Sequence, residues 1–301
     1  MINVAITGAD TLLAGELIRI LVNHPDVELS WLAAPAHGGE EVARFHKGLV
    51  GETSAVFADA PGTFDDIDII YQADPAPGAG RALLAALPHD VDVKIIDLSP
   101  DFRDESEGFV YGLCELNRRR IVHDCTRVAC PSPIAAAALP ALLPLARNLL
   151  LGAPLTIIVE GDTLPDGDVA AEVARALRQA QSSFGCDIDI VARTAAVMSP
   201  RALVLRVETD CGIDEALLDE LYDKYFDDHN FTFPVKCFIG VPDVLNTNKC
   251  LLRLARHGQR VTVDVVADAW LKGGAGNAVH VMNLLCGLHE RVGLHLKASL
   301  I

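Results

Sequence analysis

The chain has 301 residues, enough for one large domain or two ordinary ones, and half of them are apolar, so a substantial core can be buried. A formal charge of −16 speaks against a nucleic-acid partner, because a phosphate backbone is met by a basic face. The longest apolar run, around residues 134–145, falls short of the ~18 residues of a membrane helix and holds two prolines, which speaks against a membrane partner.

Residues 2–8, INVAITG, read as a short buried strand. Together with the turn that follows they do not resemble a signal peptide, and a cytoplasmic location is expected. Residues 12–25 have helical apolar spacing and end at His24-Pro25. Strands are expected at 27–35, 66–74 and 92–99, with a helix at 78–87. Such alternation predicts an α/β fold with a doubly wound parallel sheet. Ser132-Pro133 marks the start of a buried helix, Ser as N-cap and Pro at the first helical position.

Composition shifts near residue 150. Strands are expected at 153–161, 187–194 and 202–210, with an amphipathic helix over 166–185. An acidic helix over 214–229 is capped by Asp214, and 250–268 reads as a hairpin turning at His257-Gly258. Residues 273–294 read as a long C-terminal helix. This half is an α+β domain with a mainly antiparallel sheet. The expected division is 1–135 with about 272–301, and 136–271.

Several residues can carry chemistry, and each has a plainer reading. Gly8 follows the first strand, where a dinucleotide phosphate rests on a helix N-terminus. A working fingerprint needs three spaced glycines, and here Thr11 and Ala14 stand at the second and third points. The alternative is a structural turn capped by Asp10 or Thr11. Asp97, Ser99, Asp101 and Arg103 lie past a strand's carboxyl end, where open sheets bind ligands. Arg103 either forks onto a phosphate or carboxylate or pairs with neighbouring acids. Cys130 is either a thiol activated near a helix start or a small buried apolar residue. Lys272 and Asn277, in a glycine-rich entry to the last helix, either touch a ligand or serve close packing. His280 and His289, placed on that helix, read as structural. The eight cysteines form no CxxC pair and no His/Cys cluster, so no metal site is expected.

With these pieces placed, the chain resembles the N-acetyl-gamma-glutamyl-phosphate reductases over nearly its whole length. The resemblance rests on GELIRILVNHPDVEL (15–29), IIDLSPDFR (95–103), FVYGLCELNRRR (109–120), VLNTNKCLLRL (244–254) and LKGGAGNAVHVMNLLCGLHERVGL (271–294). It implies a Rossmann-type domain, to which the last helix returns, and an α+β domain carrying dimer contacts. It also implies chemistry. A cysteine thiolate attacks an acyl phosphate, NADPH delivers hydride to the thioester, and a histidine handles protons; the aldehyde serves arginine synthesis.

Carried over position by position, the working residues of that family are largely replaced. The nucleophile position falls on Pro133, and Cys130 stands where the family has asparagine. The family's His-x-His-x-Pro-Glu segment aligns with 167–172, where Gly167 and Val169 replace the histidines and Glu172 is retained. The stretch just upstream is shortened by a loop. Thr11 alters the cofactor turn next to Gly8, and the stretch expected to hold the NADP 2′-phosphate reads AAPAHGGEE. Arg103, with Ser99 nearby, stands in the phosphate-contact motif, and Gly273, Gly276 and Asn277 stand in the last-helix motif. Three readings follow. The chain is a catalytically degenerate paralogue acting by binding or assembly, as a homo-oligomer (dimer or tetramer) or a hetero-oligomer with an active reductase. Or it is an active NADPH-dependent reductase using Cys130. Or it is a small-molecule sensor that holds an anion through Arg103.

Overall fold

A computed structural model describes residues 1–88, 91–123, 125–161, 168–196 and 199–299. The chain divides into two compact units, Met1–Pro131 with Gly274–His295, and Ser132–Gly273 with Leu296–Ile301. Among the described residues no helix is long and apolar enough to cross a membrane.

The first unit runs β1 (Ile2–Thr7), α1 (Leu12–Leu21), β2 (Val27–Ala33), a short α2 (Val42–Phe45), β3 (Ile69–Gln72), α3 (Ala79–Ala86), β4 (Lys94–Asp97), β5 (Val110–Tyr111), α4 (Cys114–His123) and β6 (Arg127–Ala129). Its six strands form one all-parallel sheet in the order β2-β1-β3-β4-β6-β5. The central strands are buried on both faces, as continuous apolar runs such as Val4-Ala5-Ile6 and Ile69-Ile70-Tyr71 require. The doubly wound α/β fold expected from the alternation of elements is therefore present.

The second unit runs α5 (Pro133–Arg147), β7 (Leu155–Glu160), α6 (Val169–Ala180), β8 (Ile188–Arg193), β9 (Ala202–Asp210), α7 (Glu215–Phe226), β10 (Thr232–Pro234), β11 (Cys250–His257) and β12 (Arg260–Asp268). Its sheet has the order β10-β11-β12-β9-β7-β8. The three central pairings are antiparallel and the two outer ones parallel. Alternation along β9 buries Leu203, Leu205 and Val207 on one face and leaves Arg206 and Glu208 on the other. Helix α5 is almost wholly buried and contains Pro140 and Pro144, whose missing amides interrupt its ladder. The Tyr222 hydroxyl donates to the Ala141 carbonyl, and Asn148 Nδ2 donates to the Pro144 carbonyl at 2.9 Å.

Several boundaries differ from the sequence expectation. The last helix, α8 (Ala275–Leu285), is half the expected length, because Gly287 takes φ +67° just beyond it; His289 lies outside the helix. Helix α6 ends at Ala180 rather than running to Gly185. The hairpin turns at Gly258-Gln259, with His257 paired to Arg260 and Gly258 at φ +66°. Asp214 occupies the N-cap position of α7 but makes no side-chain cap there.

Candidate functional site

At the carboxyl end of the first sheet the polar groups are engaged with one another. Asp97 closes β4 and is buried. Its carboxylate accepts from Ser99 N (3.1 Å), Ser99 Oγ (2.8 Å) and Gln72 Nε2 (3.3 Å). Burial raises its pKa above the ordinary carboxylate value, against those hydrogen bonds. The Asp97 carbonyl accepts from Cys130 N at 2.7 Å, tying the ends of β4 and β6 together. Asp101 caps α3, accepting from Gly78 N (2.7 Å) and Arg81 N (3.0 Å). Arg103 Nε donates to the Cys130 carbonyl at 3.2 Å, so its guanidinium is anchored on the backbone.

The Cys130 side chain is only 2% exposed. Burial, then the nearby Asp97, pushes its thiol up to about 12; Arg103 and a hydrogen bond with Asn277 pull the other way by less. Of the two readings of this cysteine, burial and the raised thiol favour the buried apolar residue. Asn277 is buried on α8, and its Nδ2 donates to the Gly112 carbonyl at 2.8 Å. Gly276 is buried beside it in the same helix. His280 is buried against Glu290 (Nε2 to Oε2, 2.5 Å), which also pairs with Arg118, so a structural role is what the geometry gives it.

The turn after β1 serves α1 first. Gly8 takes φ +66°, and a side chain there would meet Asp74 N at 2.6 Å. Thr11 is the N-cap: its hydroxyl accepts from Ala14 N (3.1 Å) and lies 3.0 Å from both the Gly8 and Ala73 carbonyls. One of the amides that a pyrophosphate would use is thus already satisfied. At the ribose end, His37 stands between Asp10 (3.9 Å) and Glu40 (3.5 Å). Arg44 is paired with Glu41. Two carboxylates thus stand beside His37, with His46 turned to the Ala9 carbonyl at 2.8 Å, where a 2′-phosphate would call for cations. Sequence reading missed this cluster, since 27 residues separate Asp10 from His37; the acidic GGEE stretch was the only signal.

In the second unit the head of α5 is closed by the chain itself. Ser132 Oγ accepts from Ala135 N (3.4 Å), and Glu172, buried on α6, accepts from Ser132 N at 2.9 Å. A carboxylate thus holds the end of the helix that attracts anions. Gly273 approaches so closely that a Cβ there would sit 2.7 Å from Pro133 Cβ and 2.5 Å from the Ala269 carbonyl. Val169 opens α6 and is buried in the core, while Gly167 lies outside the described residues. Lys272 is fully buried.

Residues 3–123 match the family model described as semialdehyde dehydrogenase, NAD binding domain. In overall fold the chain is similar to aspartate semialdehyde dehydrogenase II of Vibrio cholerae in complex with ASA (TM-score 0.72, 17% identity, 95% of this chain and 98% of that one). It is also similar to aspartate semialdehyde dehydrogenase of Francisella tularensis (TM-score 0.72, 9% identity, 95% and 100%). Its sequence is 35% identical to N-acetyl-gamma-glutamyl-phosphate reductase of Phocaeicola vulgatus and 36% identical to that of Parabacteroides distasonis, over 99% of both chains in each case. The first of these alignments spans 325 positions, and against 301 residues that leaves at least 24 positions opposite a gap in this chain. On this similarity the chain belongs to the N-acetyl-gamma-glutamyl-phosphate reductase family.

Proposed function

We propose that this chain is a catalytically silent member of its family, acting through binding or assembly. The family reaction is the NADPH-dependent reduction of an acyl phosphate to a semialdehyde. It needs a nucleophile at the position that the resemblance places on Pro133. That position is the single observation carrying the reading: a proline packed on Gly273, at a helix start whose amide is held by Glu172. A proline offers no group to form a thioester. Loss of a covalent nucleophile costs on the order of 10⁶ in turnover. Cys130 is a poor substitute, because it is buried and burial raises its thiol pKa. Displacement from a productive position by even ~1 Å costs about 10²-fold.

The assembly we infer is a homo-oligomer, or a hetero-oligomer with an active reductase of the same fold, in the cytoplasm. The test is the reaction run in the semialdehyde-oxidising direction with phosphate or arsenate. It is followed by nicotinamide absorbance with NADP⁺ and with NAD⁺, at high protein concentration, for the wild type and Cys130→Ser. No turnover is expected from either while an active reductase turns over in the same buffer. Turnover by the wild type overturns the proposal, and its loss in Cys130→Ser would identify a reductase rebuilt around that thiol.

A further inference from the structure

A doubly wound domain reads its dinucleotide at the end of the second strand. An acidic side chain there accepts from a free ribose 2′-hydroxyl, and a cation accommodates a 2′-phosphate. In this chain β2 ends at Ala33 and passes into the 3₁₀ turn Pro35–His37. The turn sets His37 across from the loop between β1 and α1: its Nε2 is 3.9 Å from Asp10 Oδ2, and its Nδ1 is 3.5 Å from Glu40 Oε2. The imidazole is held by packing, with ring centroids 4.5 Å from Phe45 and 6.1 Å from Phe57. Arg44 is engaged with Glu41 through Nε and Nη2 at 3.0 and 3.2 Å, and His46 Nε2 lies 2.8 Å from the Ala9 carbonyl. Whether His37 is neutral or protonated, Asp10, His37 and Glu40 together carry net negative charge. The Glu40 side chain is about half exposed, so a sugar hydroxyl can reach its carboxylate from solvent beside the contact with His37.

We propose that the nucleotide site of the first unit selects an adenine dinucleotide with a free 2′-hydroxyl, NAD(H), over NADP(H), and that Glu40 is the discriminating side chain. The proposal rests on the unit's membership of a nucleotide-binding family. It departs from the NADP that the resemblance implies. A phosphate carrying about two negative charges, brought within a few ångströms of two carboxylates, is repelled by a field that salt screens only in part. The 2′-hydroxyl has no such penalty and offers a hydrogen to Glu40.

The experiment is isothermal titration of the full chain with NADH and with NADPH, at low and at moderate salt. Thermal melts of each variant check that it is folded. NADH is expected to bind at least about tenfold more tightly, with the gap narrowing as salt rises. Glu40→Gln should narrow it further, and Glu40→Arg should reverse the order. NADPH binding as tightly as NADH overturns the selectivity and leaves the nucleotide site standing. Failure of both nucleotides to bind at millimolar concentration overturns both. A ratio unchanged in a folded Glu40→Arg overturns the role of Glu40.

Discussion

The head of α5 and the end of β2 are both places where folds of this kind meet a ligand, and here they differ in kind. At α5 the helix start is closed with the chain's own groups: Ser132 serves one amide, Glu172 serves another, and Gly273 is pressed onto Pro133. At β2 the charges of Asp10 and Glu40 stay near solvent, with a single imidazole between them. A closed helix start is part of the core, and altering it costs stability. An open charged edge is nearly neutral for folding and retains the means to choose a ligand.

The largest expected effect falls on the closed region. Gly273→Ala should destabilise the protein by about 3 kcal/mol, since the new methyl meets backbone and a proline ring that cannot swing away. Denaturant unfolding measures it, and a loss under about 1 kcal/mol would mean that the contact relaxes and the region is not closed. Glu172→Ala should cost on the order of 2 kcal/mol by leaving the Ser132 amide buried without this acceptor. Acidity should act on the first unit through His24, whose pKa is lowered, chiefly by burial, against hydrogen bonding to Asn283 and the charge of Asp26. A base held neutral by the fold contributes fully above its ordinary 6.5, and that contribution is lost as pH falls through the depressed value. Melting should fall as pH drops below about 6.5, and His24→Gln should flatten that limb. The smallest effect belongs to the open edge: Glu40→Ala should change stability by no more than about 0.5 kcal/mol. A larger loss there would show that the edge is structural and would end the contrast.

Much of this architecture was legible from residue patterns, for physical reasons. Strands such as β1 and β9 announce themselves by apolar runs or strict alternation, and α5 by Ser132-Pro133. The two-residue β5 and three-residue β6 are too short to carry a period. Helix α4 is polar and breaks helical geometry at Asn117, so no apolar stripe marks it. At the site, residue types were readable but partners were not. Arg103 reads equally as an anion receptor or as a partner of neighbouring acids, and its bond to the Cys130 carbonyl depends on where β6 lies beside β4. Whether the Cys130 thiol is activated by the nearby helix start or raised by burial turns on burial, a tertiary quantity.

The two prolines of α5 have a consequence for how the second unit comes together. Each would cost about 3 kcal/mol in an isolated helix, so α5 is a poor nucleus on its own. A hydroxyl from α7 bonds the Ala141 carbonyl in its middle, and burial raises the Tyr222 pKa above the ordinary tyrosine value. The two helices should therefore open as one cooperative unit, with the amides around Ala141 exchanging with solvent only when α7 also lifts away. Sequence-distant segments then share a single local stability, and a perturbation of the acidic helix α7 would be felt first in the buried helix α5.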